Sequence, residues 1–199
     1  MNNEWEALEA FIVFAREHHW GQPVEWHSDP DRPPGAQVLI VGGDPDTWVS
    51  WADGNFTVRD YSRGKLLSED VVTNSVEALD KYLMFTLEGG FRQYVGLPEL
   101  RFGLVPEVRP GRFGGYDVAE DDGKLVIRWN EHGTEKFFRS GDYHARYVML
   151  GARYSPAEVR EAVMRVDGSP VFGSVPPWTR GAEHSTVNWL ELFEWRGND

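Results

Sequence analysis

The chain contains no cysteine. Disulfides, thiolate metal sites and cysteine nucleophiles are therefore excluded. Basic charge is scarce: 20 Lys and Arg stand against 32 Asp and Glu, a formal net charge of -12. Gripping nucleic acid through its phosphates requires a basic face, and so does adsorption to an anionic membrane; both classes are disfavoured. Long apolar runs are also missing. The apolar stretch at residues 10–15 is too short to span a bilayer, and Glu4, Glu6 and Glu9 stand where a secretory leader would carry positive charge. A soluble, cytoplasmic chain is expected.

What is present is apolar and aromatic. The 199 residues are 41% hydrophobic, with 9 Trp, 11 Phe and 7 Tyr, enough for a packed core. The acidic excess has two readings: steering toward a basic protein partner, or solubility alone.

The organising stretch is residues 74–100, NSVEALDKYLMFTLEGGFRQYVGLPEL. Asn74 as N-cap and Glu77 at the third helical position predict a capping box. Val76, Leu79, Leu83 and Leu87 then recur at helical spacing. Gly89 and Gly90 are expected to end the helix. Before it, residues 5–18 read as an amphipathic helix, 24–27 as a short strand and 36–41 as a continuous apolar strand. Residues 47–52 and 56–60 flank Asp53-Gly54-Asn55, a hairpin signal. After a turn at Arg63-Gly64, residues 65–73 read as a further strand leading into the helix.

Residues 103–115 are rich in proline and glycine and read as a connector between candidate halves, 1–102 and 116–199. The second half repeats the grammar: strands at 116–120, 124–130 and 134–139, turns at Asp122-Gly123 and His132-Gly133, then a helix at 142–150. GNFTVR at 54–59 lies over GKLVIR at 123–128, each preceded by aspartate. An internal duplication and a coincidence of hairpin turn chemistry both account for this. Ser155-Pro156-Ala157-Glu158 is a full capping box with proline at the first helical position, opening a helix to about Arg165. Residues 170–177 read as an extended loop. Trp189, Leu192, Phe193 and Trp195 give residues 186–195 helical spacing, expected to pack back on the domain. The fold class expected is α+β: a mainly antiparallel, twisted sheet packed by helices, with two similar halves as an open reading.

Motifs for chemistry are sparse. His18, His19 and His27 precede Asp29 and Asp31, but adjacent histidines on a helix diverge and no HExxH spacing exists, so no metal is expected. His132, His144 and His184 are isolated. Gly111-Arg112-Phe113-Gly114-Gly115 and Gly42-Gly43 match neither the dinucleotide nor the Walker pattern, and no cofactor is expected. No GxSxG elbow occurs. Glu120, Asp121 and Asp122 cluster at a hairpin tip rather than across a cleft, as a glycosidase pair would.

Three passages carry a family resemblance. VEALDKYLMFTLEGGFRQYVGLPEL, GRFGGYDVAEDDGKLVIRW and SPAEVREAVMRVDGSPVF resemble successive segments of the immunity protein 61 family of bacterial polymorphic-toxin systems, over about residues 48–172. The tail after Phe172 has no counterpart in it. Members are similar to the immunity factor of the mycobacterial necrotizing NAD-hydrolysing toxin. The resemblance implies a non-catalytic cytoplasmic protein, a monomer in a 1:1 complex with a cognate toxin domain whose active site it blocks. A basic toxin and an NAD glycohydrolase are the matching expectations. Loop placement nominates Arg112, Phe113, Glu120, Asp121 and Asp122 as partner contacts, although each is equally an ordinary loop residue. Trp20, Trp26, Trp178 and Trp195 are the tryptophans least easily given to a core. The rival expectation is a small-molecule-binding or hydrolytic enzyme with its site between the halves.

Overall fold

The computed structural model describes residues 3–18, 24–25, 36–41, 46–63, 65–98, 100 and 108–171. The expected elements at 19–23, 26–35 and 172–199 lie outside these residues. In chain order come α1 (Asn3–His18), β1 (Val24–Glu25), β2 (Ala36–Val41), β3 (Asp46–Ala52), β4 (Asn55–Ser62), β5 (Lys65–Thr73) and α2 (Val76–Tyr94). The second series is β6 (Gly111–Phe113), β7 (Tyr116–Asp121), β8 (Lys124–Glu131), β9 (Thr134–Ser140), α3 (Asp142–Gly151) and α4 (Pro156–Val163). Among the described residues the strands form one antiparallel sheet in the order β1-β2-β3-β4-β5-β9-β8-β7-β6. The α+β class is therefore as expected.

The sheet is built from two meanders that meet end strand to end strand. Asp53-Gly54 and Asp122-Gly123 turn β3 into β4 and β7 into β8 with φ of 51° and 79°, and of 51° and 70°. Positive φ at both central residues is the primed turn that matches strand twist, which is why glycine follows aspartate there. Ten positions beyond each aspartate stand Arg63 and His132, both at φ 50°. Phe56 faces Thr73 in the first meander as Leu125 faces Ser140 in the second. The junction pairs Val71 with Ser140, Val72 with Arg139 and Thr73 with Phe138. With Thr73 equivalent to Ser140, these pairs exchange onto themselves about Val72 and Arg139, a local two-fold axis through the sheet. The copies differ in one respect. β5 has 9 residues to β9's 7, and the register steps over Asp70 and Leu67 as bulges.

Residues opposite one another in antiparallel strands share a face. Val49, Phe56, Val58, Val71, Val118, Ile127 and Phe138 share one face by register and are buried beneath the helices. Each such side chain contributes roughly 1.5–3 kcal/mol by leaving water. The other face carries ion pairs, Arg59 to Glu69 at 3.0 Å and Arg139 to Asp121 at 3.5 Å. α2 is the centre of the helical layer and packs against α1, α3 and α4. Gly151 at the end of α3 lies where an added Cβ would stand 3.0 Å from the Phe85 ring of α2.

Three local expectations are corrected. The N-cap of α2 is Ser75, whose Oγ accepts from the Ala78 amide at 3.3 Å. Asn74 is spent elsewhere, on the edge of β9. The helix also runs through Gly89 and Gly90 to Tyr94. It continues because Phe91 and Arg92 are fully buried, and it ends at Gly96 (φ 73°). There the Leu97 amide donates to the Arg92 carbonyl at 2.8 Å and the Gly96 amide to the Gln93 carbonyl at 3.2 Å, the Schellman arrangement. Finally, the connector contains a strand, β6, paired with β7.

Arg92 ties the helical layer together. Its Nε donates to the Pro98 carbonyl at 2.7 Å, while its terminal nitrogens donate to the carbonyls of Val163 (2.6 Å), Arg165 (2.7 Å) and Val166 (2.9 Å). The Val163 carbonyl is the last of α4, which the helix cannot satisfy itself; those of Arg165 and Val166 lie in the turn that follows, where the Gly168 amide also donates to Arg165 at 3.1 Å. At the other end of the contact, Arg160 of α4 pairs with Asp80 of α2, which is buried. The Ser155 capping box opens α4 as expected.

Candidate partner-binding surface

The nominated contacts all fall on the β6–β7–β8 side of the sheet, in two places. Arg112 and Phe113 lie on β6, facing Asp117 and Tyr116 at the start of β7. Arg112 is exposed, whereas Phe113 is half-buried and packs on the core. Glu120 and Asp121 end β7 and Asp122 makes the turn; all three are exposed. Three to six residues of β7, on the order of 10–20 Å, separate the two groups. Successive side chains alternate faces, so Asp121 reaches Arg139 on the open face while Glu120 lies on the helix side. This tip is exposed and acidic. Trp20, Trp26, Trp178 and Trp195 lie outside the described residues.

Histidine has structural employment. His18 Nδ1 is 3.0 Å from the Phe14 carbonyl, and its ring stacks on Phe14 with centroids 4.5 Å apart. His19, His27 and His184 lie outside the described residues, as do Asp29 and Asp31. Among the described residues no group of three His, Asp or Glu side chains is placed to hold a metal, and no helix is long and apolar enough to cross a membrane.

A cavity of about 170 Å³ opens where α2 meets β7, β8 and α3, lined among others by Glu77, Lys81, Tyr116, Trp129, Asn130 and Glu131. Its size suits one side chain or a ligand of a few atoms. Lys81 is buried, which pushes its pKa down; the Glu77 carboxylate 3.8 Å away pushes it back up. The Tyr116 hydroxyl donates to the Ala152 carbonyl at 3.4 Å, and burial raises its pKa. Among these groups Ser75 caps α2, Tyr116 bonds a backbone carbonyl and Lys81 pairs with Glu77.

A second polar cluster lies at the bulged part of β5. Thr47 Oγ1 donates to Asp60 Oδ1 at 2.6 Å, and the Asp70 side chain lies beside Asp60. Burial and the neighbouring Asp70 carboxyl lift Asp60 to about 6, against the Thr47 hydrogen bond. His144, in the first turn of α3, lies beside Asp70; burial lowers its pKa and Asp70 raises it. Tyr143 and Tyr147 follow on the same helix, hydroxyl to hydroxyl, and Tyr147 stacks on Phe85 at 5.4 Å. Sequence reasoning missed this cluster, since Asp70 enters it only through the bulge. One visible signal was Leu66-Leu67, which breaks the alternation of its strand; both are exposed.

No curated protein matches the chain in sequence. In structure it is similar to Rv3902c from M. tuberculosis, with a TM-score of 0.61 at 16% identity, over 83% of this chain and 91% of the other. That likeness is one of fold. The model of the immunity protein 61 family matches residues 20–171, which takes in β1 to α4 and begins well before the passages that carried the resemblance. On that match the chain belongs to the immunity protein 61 family, whose role is that of an antitoxin acting on a cognate toxin.

Proposed function

We propose that this protein neutralises a cognate toxin domain by stoichiometric binding, as a monomer in a 1:1 complex in the cytoplasm, and that it blocks the toxin's active site without catalysing a reaction. The observation that carries the reading is the family match over residues 20–171. The toxin we infer is an NAD glycohydrolase with a basic surface. The net charge of -12 supports the second property, because complementary charge accelerates encounter and rejects wrong partners. The Glu120, Asp121 and Asp122 tip, with Arg112 and Phe113 at the far end of β7, belongs to this proposal as candidate contacts.

The test is co-expression with the toxin domain encoded beside this chain, followed by co-purification, growth rescue and an NAD-consumption assay of the free toxin. Rescue, a 1:1 complex and NAD loss only in the absence of this chain are expected. If the pair neither co-purifies nor rescues growth, the antitoxin reading of this chain fails. If it co-purifies but the free toxin leaves NAD intact, only the substrate assignment fails.

A further inference from the structure

The two hairpins set different residues at equivalent places on the helix side of the sheet. Counted from the turn aspartates, Tyr116 and Trp129 take the positions that Thr47 and Asp60 hold in the first meander, six residues before the aspartate and seven after it. Thr47 and Asp60 close on each other at 2.6 Å. Tyr116 and Trp129 instead present two rings, with centroids 5.8 Å apart and planes tilted by 47°, and both line the cavity of about 170 Å³ beside the first turns of α2. Asn74 fixes the α2 wall. The Phe137 amide donates to Asn74 Oδ1 at 2.8 Å, and Asn74 Nδ2 donates to the Glu135 carbonyl at 3.0 Å. Thr73 Oγ1 adds a bond to the Phe137 carbonyl at 2.5 Å. These bonds hold the start of α2, with Ser75 and Glu77, against β9. In the other copy Ser140 takes the place of Thr73, so Asn74 is matched by Gly141, which has no side chain to offer.

The charge balance of this cavity is negative. Its lining sets the carboxylates of Glu77 and Glu131 against the single ammonium of Lys81. Lys81 is buried and paired with Glu77, one turn earlier on α2, at 3.8 Å. Glu131 is partly buried, and among the described residues its carboxylate has no hydrogen bond or ion pair. The charges that act on the Tyr116 hydroxyl are the carboxylates of Glu131 and Glu77, and those that act on Lys81 are Glu77, Asp80, Glu131 and Glu158; all are negative. Lys136, opposite Trp129 in the β8–β9 pairing, gives its ammonium to the Asn74 carbonyl at 3.4 Å, and Arg160 pairs with Asp80. A carboxylate without a partner beside aromatic faces attracts a cation to within about 6 Å of a ring centroid, with tryptophan the strongest platform. A planar guanidinium can stack on such a ring while its N–H groups reach a carboxylate, which a compact ammonium cannot do at once.

We propose that this cavity receives one arginine side chain of the toxin domain, with the guanidinium on the Trp129 ring and its N–H groups donating to the Glu131 carboxylate. The proposal rests on the toxin-binding reading above and adds a local contact to it. The net charge of -12 draws a basic partner from a distance, and the cavity gives that basic surface one fixed anchor, of the buried aromatic and arginine kind that dominates interfaces.

The test has two arms. In the first, N-acetyl-arginine amide and N-acetyl-glutamine amide are titrated into the protein, and the Trp129 indole N–H, assigned with Trp129→Phe, is followed by NMR. Expected is a saturable shift with the arginine probe, at least about fivefold tighter than with the glutamine probe and at least about fivefold weaker in Glu131→Gln. In the second, the purified toxin domain encoded beside this chain is titrated into the wild-type protein, Glu131→Gln, Glu131→Lys and Glu9→Lys, with a melt of each. Glu9 is exposed on α1, and its variant makes the same charge change as Glu131→Lys away from the cavity. Expected are losses of at least about tenfold for Glu131→Gln and about a hundredfold for Glu131→Lys, with Glu9→Lys close to wild type and melting temperatures retained. The proposal is overturned if the Trp129 indole responds no more to the arginine probe than to the glutamine probe, or if Glu131→Gln binds the toxin as the wild type does. It is also overturned if Glu9→Lys costs as much as Glu131→Lys, since net charge alone would then account for the loss. Failure of the wild-type protein to bind this toxin at all would instead sink the antitoxin reading, and the assignment of the arginine to a toxin with it, whereas the probe arm reads the cavity by itself.

Discussion

Replacing Arg92 by methionine keeps an unbranched, bulky side chain and removes every donor. The guanidinium is fully buried and serves four carbonyls at 2.6–2.9 Å, with Glu88 4.0 Å away. Hydrogen bonds to a charged group contribute about 1.5–3 kcal/mol each in isolation. They do not add, because Pro98, Arg165 and Val166 lie near enough to the surface to recover some water. The Val163 bond is buried throughout, and its carbonyl and the Glu88 carboxylate both lose their partner. A total cost of about 3–5 kcal/mol follows, the range for breaking a buried charged network. For a chain of this size that is a fall of roughly 8–15 °C in melting temperature. Arg92→Lys should recover only a minor part, since one ammonium cannot span carbonyls that the planar fork reaches on two sides. The assay is urea and thermal unfolding, with amide exchange read at the end of α4. Protection there should collapse while the β7–β8 hairpin is unaffected. A loss below about 1 kcal/mol for Arg92→Met, or equal loss of protection in both regions, would refute the claim that Arg92 holds α2 to α4.

Asp60 yields a pH prediction. Its folded pKa, about 6, lies above the ordinary 3.8, so its burial favours folding below pH 4 and that contribution is lost as pH rises through 6. Asp60→Asn imitates the protonated acid and should stabilise the protein by about 1 kcal/mol at pH 7.5, discounted because the side chain is half-exposed; melts from pH 4 to 8 should converge at the acid end. Asn74→Ala should cost about 1–2 kcal/mol and deprotect the Phe137 amide in hydrogen exchange, with Asn74→Asp intermediate because it keeps one of the two edge bonds. Ser155→Ala removes a helix cap, and urea titration should register about 1 kcal/mol.

Legibility tracked how local the deciding interaction is. The hairpins at Asp53-Gly54 and Asp122-Gly123, the Ser155 capping box and the apolar face of α2 depend on residues within a turn of one another, and all were readable. Asn74 and Ser75 are both good caps, and the choice between them was made by β9, whose edge claims Asn74 from 61 residues away. Gly89-Gly90 resembles a stop, but the helix is held beyond it by Phe91 and by the distant carbonyls that bind Arg92. β6 is three residues long and exists only because β7 pairs with it. The nominated contacts illustrate the same limit. Loop chemistry placed Arg112, Phe113, Glu120, Asp121 and Asp122 together as a set, while strand geometry sets them at opposite ends of β7. The Asp60–Asp70 cluster was missed because a bulge changes which residue faces which; Leu66-Leu67 signals that the alternation breaks, not which residues the break brings together.

The near two-fold relation between the meanders gives each structural feature an internal control. Turns, buried strand positions and the junction register occur in both copies, so they answer to folding alone. What differs between the copies needs another cause. α2 has 19 residues to α3's 10, and its extra length carries Phe91 and Arg92, which is why α1 and α4 dock on it. That difference is explained by packing. The bulges at Leu67 and Asp70, and the glycine where the other copy has Asn74, have no such packing account: they bring Asp70 beside the partly buried Asp60, and Leu66 and Leu67 stay exposed.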